Sequence, residues 1–90
     1  MLVLSRTVGT SVLIEDVTFT IVTIGNGVAD ASLRKRKGER PRVISLIQGE
    51  TIEICYGVTV ALIKISERSV RLGFEFPPGI NFTRSEHEAT

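Results

Sequence analysis

The sequence predicts a mainly β fold built from two tandem units, and three observations support this prediction. Apolar and polar residues alternate along most of the chain, and no segment keeps the 3.6-residue apolar period of a helix. Residues 9–24 align with residues 49–65, with five identical pairs among sixteen and Gly57 as an insertion. The glycine and the turn keep their place in both copies. A repeat period of roughly forty residues indicates two β units that each bury an apolar face against the other.

Nine strands are predicted, four in the first half of the chain and five in the second. They span residues 2–5, 11–14, 17–24, 28–33, 43–47, 51–55, 58–65, 69–74 and 80–82. Between the third and fourth strands, Gly25-Asn26-Gly27 suits a tight hairpin, which needs positive φ. Before the ninth strand, Pro77 and Pro78 interrupt the ladder because proline has no backbone donor.

The end of the chain carries a helix-start signal. Residues 83–86 fit a capping box, in which the Thr83 hydroxyl accepts from the third helical amide and the Glu86 side chain reaches back. This pattern predicts a short C-terminal helix over residues 84–90, with His87 as an exposed helical residue.

Composition excludes several classes of protein. The 90 residues suffice for one small domain, and no apolar stretch is long enough to span a bilayer. The opening MLVLSRTVG is too short and too quickly polar for a secretory signal, so we expect a soluble, cytoplasmic protein. The single cysteine, Cys55, has no intrachain disulfide partner, and with His87 alone it makes no metal site. We therefore expect no metal and no cofactor, and we expect Cys55 to be a core or near-core strand residue.

Charge is concentrated in one segment. Residues 34–42 (RKRKGERPR) hold six basic residues and one acid, which leaves five basic and nine acidic residues elsewhere. Such a block stays solvated and attracts polyanions, and basic residues also protect sheet edges from unwanted pairing. The segment is therefore either a soluble linker or a source of phosphate contacts. The contacts would come from Arg34, Lys35, Arg36, Lys37 and Arg40.

The opening MLVLSRTVGTSVLIEDVTFTIVTI resembles the start of the carbon storage regulator family (CsrA/RsmA), small bacterial RNA-binding proteins. Residues 49–88 resemble the body and tail of that family, with GETIEI, VTVALIKI, VRLGF and the proline-led FPPGINFTRSEHE. Family members are homodimers of a five-stranded chain whose first and fifth strands interleave between protomers. The resemblance implies two tandem CsrA-like β-units packed as a single-chain pseudo-dimer of antiparallel sheets, with a short C-terminal helix.

The resemblance also divides the single domain, residues 1–90, into three parts. Residues 1–33 form a first CsrA-like repeat that lacks the fifth strand and the helix. Residues 34–42 form the basic linker, and residues 43–90 form a second repeat that has both.

In this family each RNA site combines the first strand of one chain with the fifth strand of the other. Here the first copy keeps Arg6 but has no tail, whereas the second copy keeps the tail but has Leu46 in the position of Arg6. The resemblance therefore implies about one composite RNA site per chain. Its predicted residues are Leu4, Ser5, Arg6, Phe82, Thr83 and Arg84. The alternatives are that both arginines are ordinary exposed residues at strand ends, and that Leu4 and Phe82 belong to the core.

The chemistry of such a site suits RNA. A sheet edge flanked by arginines can pair with the edges of unstacked purines and bind their phosphates. The planar guanidinium fork matches the O6 and N7 acceptors of guanine. The sequence predicts no surface aromatic platform, because the four phenylalanines lie mostly at inward positions of the alternation. These residues are Phe19, Phe74, Phe76 and Phe82.

The resemblance thus implies a sequence-specific post-transcriptional regulator. It would recognise GGA-containing hairpin loops in mRNA leaders or small RNAs and control translation, as a repressor where it blocks ribosome access. A CsrA-like protein-interaction module that no longer binds RNA specifically is the alternative, since some family members are bound by a flagellar assembly factor, a protein antagonist. No catalytic constellation is present, so no enzyme is expected. A monomeric pseudo-dimer is favoured, with a homodimer through the edge near residues 42–47 as the alternative.

Overall fold

The computed structural model describes residues 1–35 and 40–85, with side chains through Thr83. This part of the chain contains nine strands and no helix, which confirms the predicted mainly β class. None of it forms a helix long and apolar enough to cross a membrane. The strands are β1 Leu2–Thr7, β2 Ser11–Ile14, β3 Val17–Ile24, β4 Val28–Lys35, β5 Arg42–Ile47, β6 Thr51–Cys55, β7 Val58–Ile65, β8 Ser69–Glu75 and β9 Phe82–Ser85.

The strands form two antiparallel sheets, and each sheet mixes the two halves of the chain. The larger sheet has five strands in the order β5-β4-β3-β2-β9, and the smaller sheet has four in the order β1-β8-β7-β6. The first strand therefore leaves its own half to pair with β8, while β5 and β9 pair with β4 and β2 of the first half. Neither half completes a sheet without strands from the other.

The repeat visible in the sequence is also visible in the backbone. Strands β3 (VTFTIVTI) and β7 (VTVALIKI) are rich in β-branched residues, which favour strands, and they share the same order of buried and exposed positions. Each carries a bulge at the same aligned position, Val22 in one and Ile63 in the other. The aligned segments therefore follow the same path, down to a local irregularity.

The turn that leads into each hairpin is repeated as well. Gly9 and Gly49 both have φ of +89°, a conformation that side chains other than hydrogen rarely adopt. The Gly9 amide donates to the Ile21 carbonyl at 2.8 Å, and the Gly49 amide donates to the aligned Leu62 carbonyl at 3.0 Å. Glycine is therefore required at both positions by the geometry of the turn.

The extra residue of the second copy lies earlier than the alignment placed it. Ile14 pairs with Val17 and Cys55 pairs with Val58, so both hairpins have two-residue turns. The ladder of the second hairpin instead shifts register between Glu53 and Cys55. The insertion is thus a bulge inside β6, and Gly57 is an ordinary turn residue.

The core lies between the two sheets and is almost entirely aliphatic and aromatic. Phe19 of the larger sheet and Phe74 of the smaller sheet meet edge to face, with ring centroids 5.6 Å apart. Valine, isoleucine and leucine side chains from β2, β3, β7 and β8 surround this pair. Burial of these side chains drives the two mixed sheets together, at roughly 1.5–3 kcal/mol for each fully buried large side chain.

Strands β1 and β8 run past their predicted ends, to Thr7 and Glu75, and the strand ends also differ at the chain terminus and around the basic run. Strand β9 covers residues 82–85 rather than 80–82, and Thr83 pairs with Leu13 in mid-strand. Thr83 therefore does not cap a helix that begins at Arg84, because pairing with β2 prevails over the local capping signal. The remainder of the predicted helix, residues 86–90 with His87, lies outside the described residues. Arg34 and Lys35 extend β4, and β5 begins at Arg42, so only residues 36–41 connect these strands.

Candidate nucleic-acid interface

Strands β1 and β9 lie at edges of the two sheets. Strand β1 pairs with β8, and β9 pairs with β2; within the described ranges neither has a second partner strand. Arg6 stands opposite Val70, and Arg84 stands opposite Val12. Both edges therefore present backbone donors and acceptors along the outer side of the strand.

Phe74 connects these two edges. In the register of the smaller sheet it stands opposite Leu2 of β1, and its ring centroid lies 5.0 Å from that of Phe82 in β9. The first strand of one half and the last strand of the other thus adjoin the same buried ring. Phe82 is the predicted site residue that contacts this ring, whereas Ser5 and Arg6 stand opposite Arg71 and Val70, further along β8.

The six predicted site residues divide by exposure. Leu4 is only 4% exposed and belongs to the core, and Phe82 is half-buried against it. Ser5 and Thr83 are exposed on their strands. Leu4 and Phe82 therefore pack against the core under the two edge strands. Ser5 and Thr83 are accessible to a ligand. Arg84 is placed by its backbone in β9, and the description of side chains ends before it.

Arg6 is not an ordinary exposed arginine. It is 8% exposed, on the same face of β1 as Leu4, and its Nη1 donates to the Ser5 carbonyl at 2.8 Å. Burying a guanidinium is costly unless it makes compensating interactions. The alternative interpretation, an exposed arginine at a strand end, is therefore wrong for Arg6.

The second half has an apolar counterpart of this arrangement. Leu46 stands opposite Ala29 of β4, as Arg6 stands opposite Val70 of β8, and Leu46 is 2% exposed. Leu46, which replaces the arginine of the first copy, thus occupies a position on the edge strand whose side chain is buried. The β5 edge contains no cation at this position.

Arg71 is a candidate residue that the sequence pattern places only on the solvated face of its strand, outside the predicted site. It is exposed and stands opposite the exposed Ser5 across the β1–β8 pair. The counterpart pair in the other half is Ser45 and Asp30, where the serine Oγ donates to the Asp30 carboxylate at 2.8 Å. One edge therefore has a cation where the other has an anion. Arg71 lies beside Ser5 only because of the register between β1 and β8, two strands far apart in the chain. That register is not predictable from one sequence.

Phe76 is the second residue that sequence reasoning missed. Its ring stacks on that of Phe82, with centroids 5.2 Å apart and planes 10° apart, and it is 39% exposed. It lies just beyond the end of β8, where strand alternation no longer fixes its direction. The expectation of inward phenylalanines holds for Phe19 and Phe74 and is wrong for Phe76. An exposed, supported ring of this kind can stack on a nucleobase.

Four basic residues of the run are described and exposed: Arg34, Lys35, Arg40 and Arg42. Arg34 and Lys35 end β4, and Arg40 precedes β5. The predicted phosphate contacts Arg36 and Lys37 lie outside the described residues.

Two titratable groups lie where β6 meets the turn to β7: Cys55 is the last residue of β6, and Tyr56 is the first residue of the turn. The Tyr56 hydroxyl donates to the Asp16 carboxylate at 2.5 Å, which raises the pKa of Tyr56 to about 12. Burial raises the pKa of the half-buried Cys55 thiol. A thiol with a raised pKa is a poor nucleophile at neutral pH, because the thiolate is the reactive form. The position of Cys55 against the core agrees with the near-core role expected from the sequence.

Comparisons of the chain with protein-family models, with curated proteins and with solved structures gave no match.

Proposed function

We propose that this chain is a cytoplasmic RNA-binding regulator of translation, a single-chain pseudo-dimer of two CsrA-like units. The observation that carries the proposal is the exchange of outer strands. β1 of the first half pairs with β8 of the second, and β9 of the second half pairs with β2 of the first. One chain thus provides both strands that the resembled family takes from two protomers.

The proposed ligand is a hairpin loop that contains GGA. The open backbone edges of β1 and β9 would bind the edges of unstacked purines, with Ser5 and Thr83 on the exposed sides of those strands. The Arg84 guanidinium would pair with guanine or a phosphate. Arg71 adds a phosphate contact and Phe76 a stacking surface, since both are exposed at these edges. The exposed cations Arg34, Lys35 and Arg40, with Arg36 and Lys37 in the same run, would add contacts that carry no sequence preference.

Arg6 has a different role in this proposal. Its guanidinium lies under the edge and bonds to the Ser5 carbonyl, which holds the backbone beside the predicted contact surface. We expect it to fix the shape of the β1 edge and to add positive potential there. The corresponding outer pair, β5–β4, has Leu46 in place of that cation and Asp30 in place of Arg71, so the proposal assigns one RNA site to each chain.

The test compares the affinity of the chain for a GGA hairpin with its affinity for a hairpin whose loop is scrambled. Both affinities are measured by fluorescence anisotropy at the same salt concentration. The wild-type chain should prefer the GGA loop, and Arg84→Ala should lose most of that preference, since a bidentate contact is worth about 1–3 kcal/mol of discrimination. Arg68→Ala is the control for the loss of an exposed arginine that the proposal leaves out of the site. Arg68 lies in the β7–β8 turn, one residue before Ser69, which stands opposite Thr7 of β1.

Two results would reject parts of the proposal. A folded Arg84→Ala variant with full GGA preference would remove this residue from the site. A wild-type chain with no loop preference would favour the alternative, a CsrA-like module that binds proteins and no longer reads RNA.

A further inference from the structure

The outer side of β6 is an open sheet edge in the described part of the chain. Within the described ranges β6 pairs with β7 alone, whereas its counterpart β2 pairs with both β3 and β9. The smaller sheet therefore ends at β6, whereas the larger sheet continues from β2 to β9.

A groove of about 380 Å³ adjoins this edge. Its apolar part is formed by Val17, Leu33, Ile54 and Cys55. The repeat identifies what fills the matching place in the other half. There Phe82 stands opposite Ile14 and packs on Phe74. In the repeat, Cys55 is the counterpart of Ile14, and Leu33 is the counterpart of Phe74. The groove thus corresponds to the seat that Phe82 occupies beside β2.

The rim of the groove is basic. Lys35, Arg40 and Arg42 line it, and Arg42 Nη2 donates to the Ile54 carbonyl at 3.0 Å, next to the end of β6. The matching seat of Phe82 has the acid Glu15 at its entrance, where its Oε2 accepts from the Asn81 amide at 2.8 Å. The two seats therefore occupy corresponding places in the repeat and differ in charge.

We propose that the β6 edge and its groove bind an extended acidic segment of a partner protein by strand addition. The segment pairs antiparallel with β6, as β9 pairs with β2, and places one aromatic side chain opposite Cys55 in the groove. Acidic residues next to this anchor meet Lys35, Arg40 and Arg42. A polynucleotide would also be attracted by the cations, but it has no backbone that continues a β-ladder, so a peptide fits the edge and the apolar groove together.

The probe is a seven-residue peptide with the sequence of residues 79–85, in which aspartate replaces Asn81 and glutamate replaces Arg84. It is titrated into the full-length, isotope-labelled chain, and backbone amide resonances are followed by NMR. The expected result is saturable shifts at residues 51–55 and at Leu33 and Arg42. Resonances of β2 should stay unchanged, because its edge already carries β9.

Two control peptides separate anchor from charge. Serine in place of the phenylalanine should abolish the shifts, because the groove then receives no apolar side chain. Lysine at both substituted positions should weaken binding, because it meets the basic rim. Arg42→Glu in the protein should weaken the acidic peptide about tenfold, whereas Arg68→Glu, in the distant β7–β8 turn, should have no effect.

Three outcomes would overturn the proposal. The first is equal binding of the lysine peptide, and the second is shifts at residues 11–14, which would mean that the peptide merely displaces β9. The third is a GGA hairpin that perturbs the β6 amides in preference to the peptide, which would make the groove a nucleic-acid surface.

Discussion

The two outer strand pairs, β1–β8 and β5–β4, share a register but differ in chemistry at two positions. The interior position is Arg6 in one pair and Leu46 in the other. The second position is the exposed Arg71 in one pair and the half-buried Asp30 in the other. The backbone is thus repeated while the charge is reversed. A duplicated scaffold can specialise in this way, because side chains at a strand edge change without altering the ladder beneath them.

A second contrast concerns the edges of the two inner hairpins. Strand β2 is covered by β9, and Phe82 closes the core above Phe74. Strand β6 has a groove beside Leu33 in the corresponding place. The two copies of the hairpin therefore differ in position: β2 is an interior strand of the larger sheet, and β6 is an edge strand of the smaller sheet.

The largest expected effect compares Phe74 with its counterpart Leu33. Phe74→Ala should destabilise the chain by about 3–5 kcal/mol, because Phe74 is fully buried and supports both β1 and β9. Leu33→Ala should cost closer to about 2 kcal/mol, because one side of Leu33 already faces a groove. Urea denaturation of both variants measures the difference. Equal costs would mean that the two seats are equally packed.

The next prediction concerns a variant in which the β1 edge is given the interior residue of the β5 edge. Arg6→Leu copies Leu46, so the variant should be as stable as the wild type or more stable, since replacing a buried charge with a packed apolar group is often neutral or favourable. Affinity for the GGA hairpin should fall, because the variant removes both the positive potential under the β1 edge and the bond to the Ser5 carbonyl. Arg68→Leu is the matched control. Unchanged affinity in a folded Arg6→Leu variant would remove Arg6 from the RNA site.

Arg71→Asp tests the exposed half of the same comparison. The variant copies Asp30 and should weaken GGA and scrambled hairpins by similar factors, because a phosphate contact carries no sequence information. The slope of log affinity against log salt should become shallower by about one. A selective loss of GGA binding would instead assign Arg71 to base recognition.

The smallest effect concerns the hydrogen bond that joins the two hairpin turns. The pKa of Tyr56 rises from 10.0 to about 12 because its hydroxyl donates to Asp16. A pKa raised by folding adds stability below the unfolded value, and that contribution is lost as pH rises from about 10 to about 12. Tyr56→Phe should therefore show a smaller drop in thermal midpoint over this range than the wild type. Parallel curves would show that the bond does not contribute.

The sequence predicted β2, β3, β6 and β7 at the bounds the structure has, because each is repeated and bounded by turn residues. The predicted end of the chain was wrong at Thr83, since a local capping signal competes with pairing to β2, a contact between residues far apart in the chain. The same limit hid Arg71, whose place beside Ser5 depends on the register of two distant strands. Phe76 was missed because it follows the last residue of a strand, where alternation no longer applies. The alignment of the two copies did correctly make Leu46 the counterpart of Arg6.

The most direct test of the central claim is the stoichiometry of the complex, measured by native mass spectrometry with excess GGA hairpin. One edge has Arg6 and Arg71 and the other has Leu46 and Asp30, so we expect one hairpin bound to one chain. The Arg6→Leu variant, with both edges apolar at that position, should populate the complex less at the same RNA concentration. Two hairpins on one chain, or one hairpin shared by two chains, would contradict a single composite site assembled within one chain.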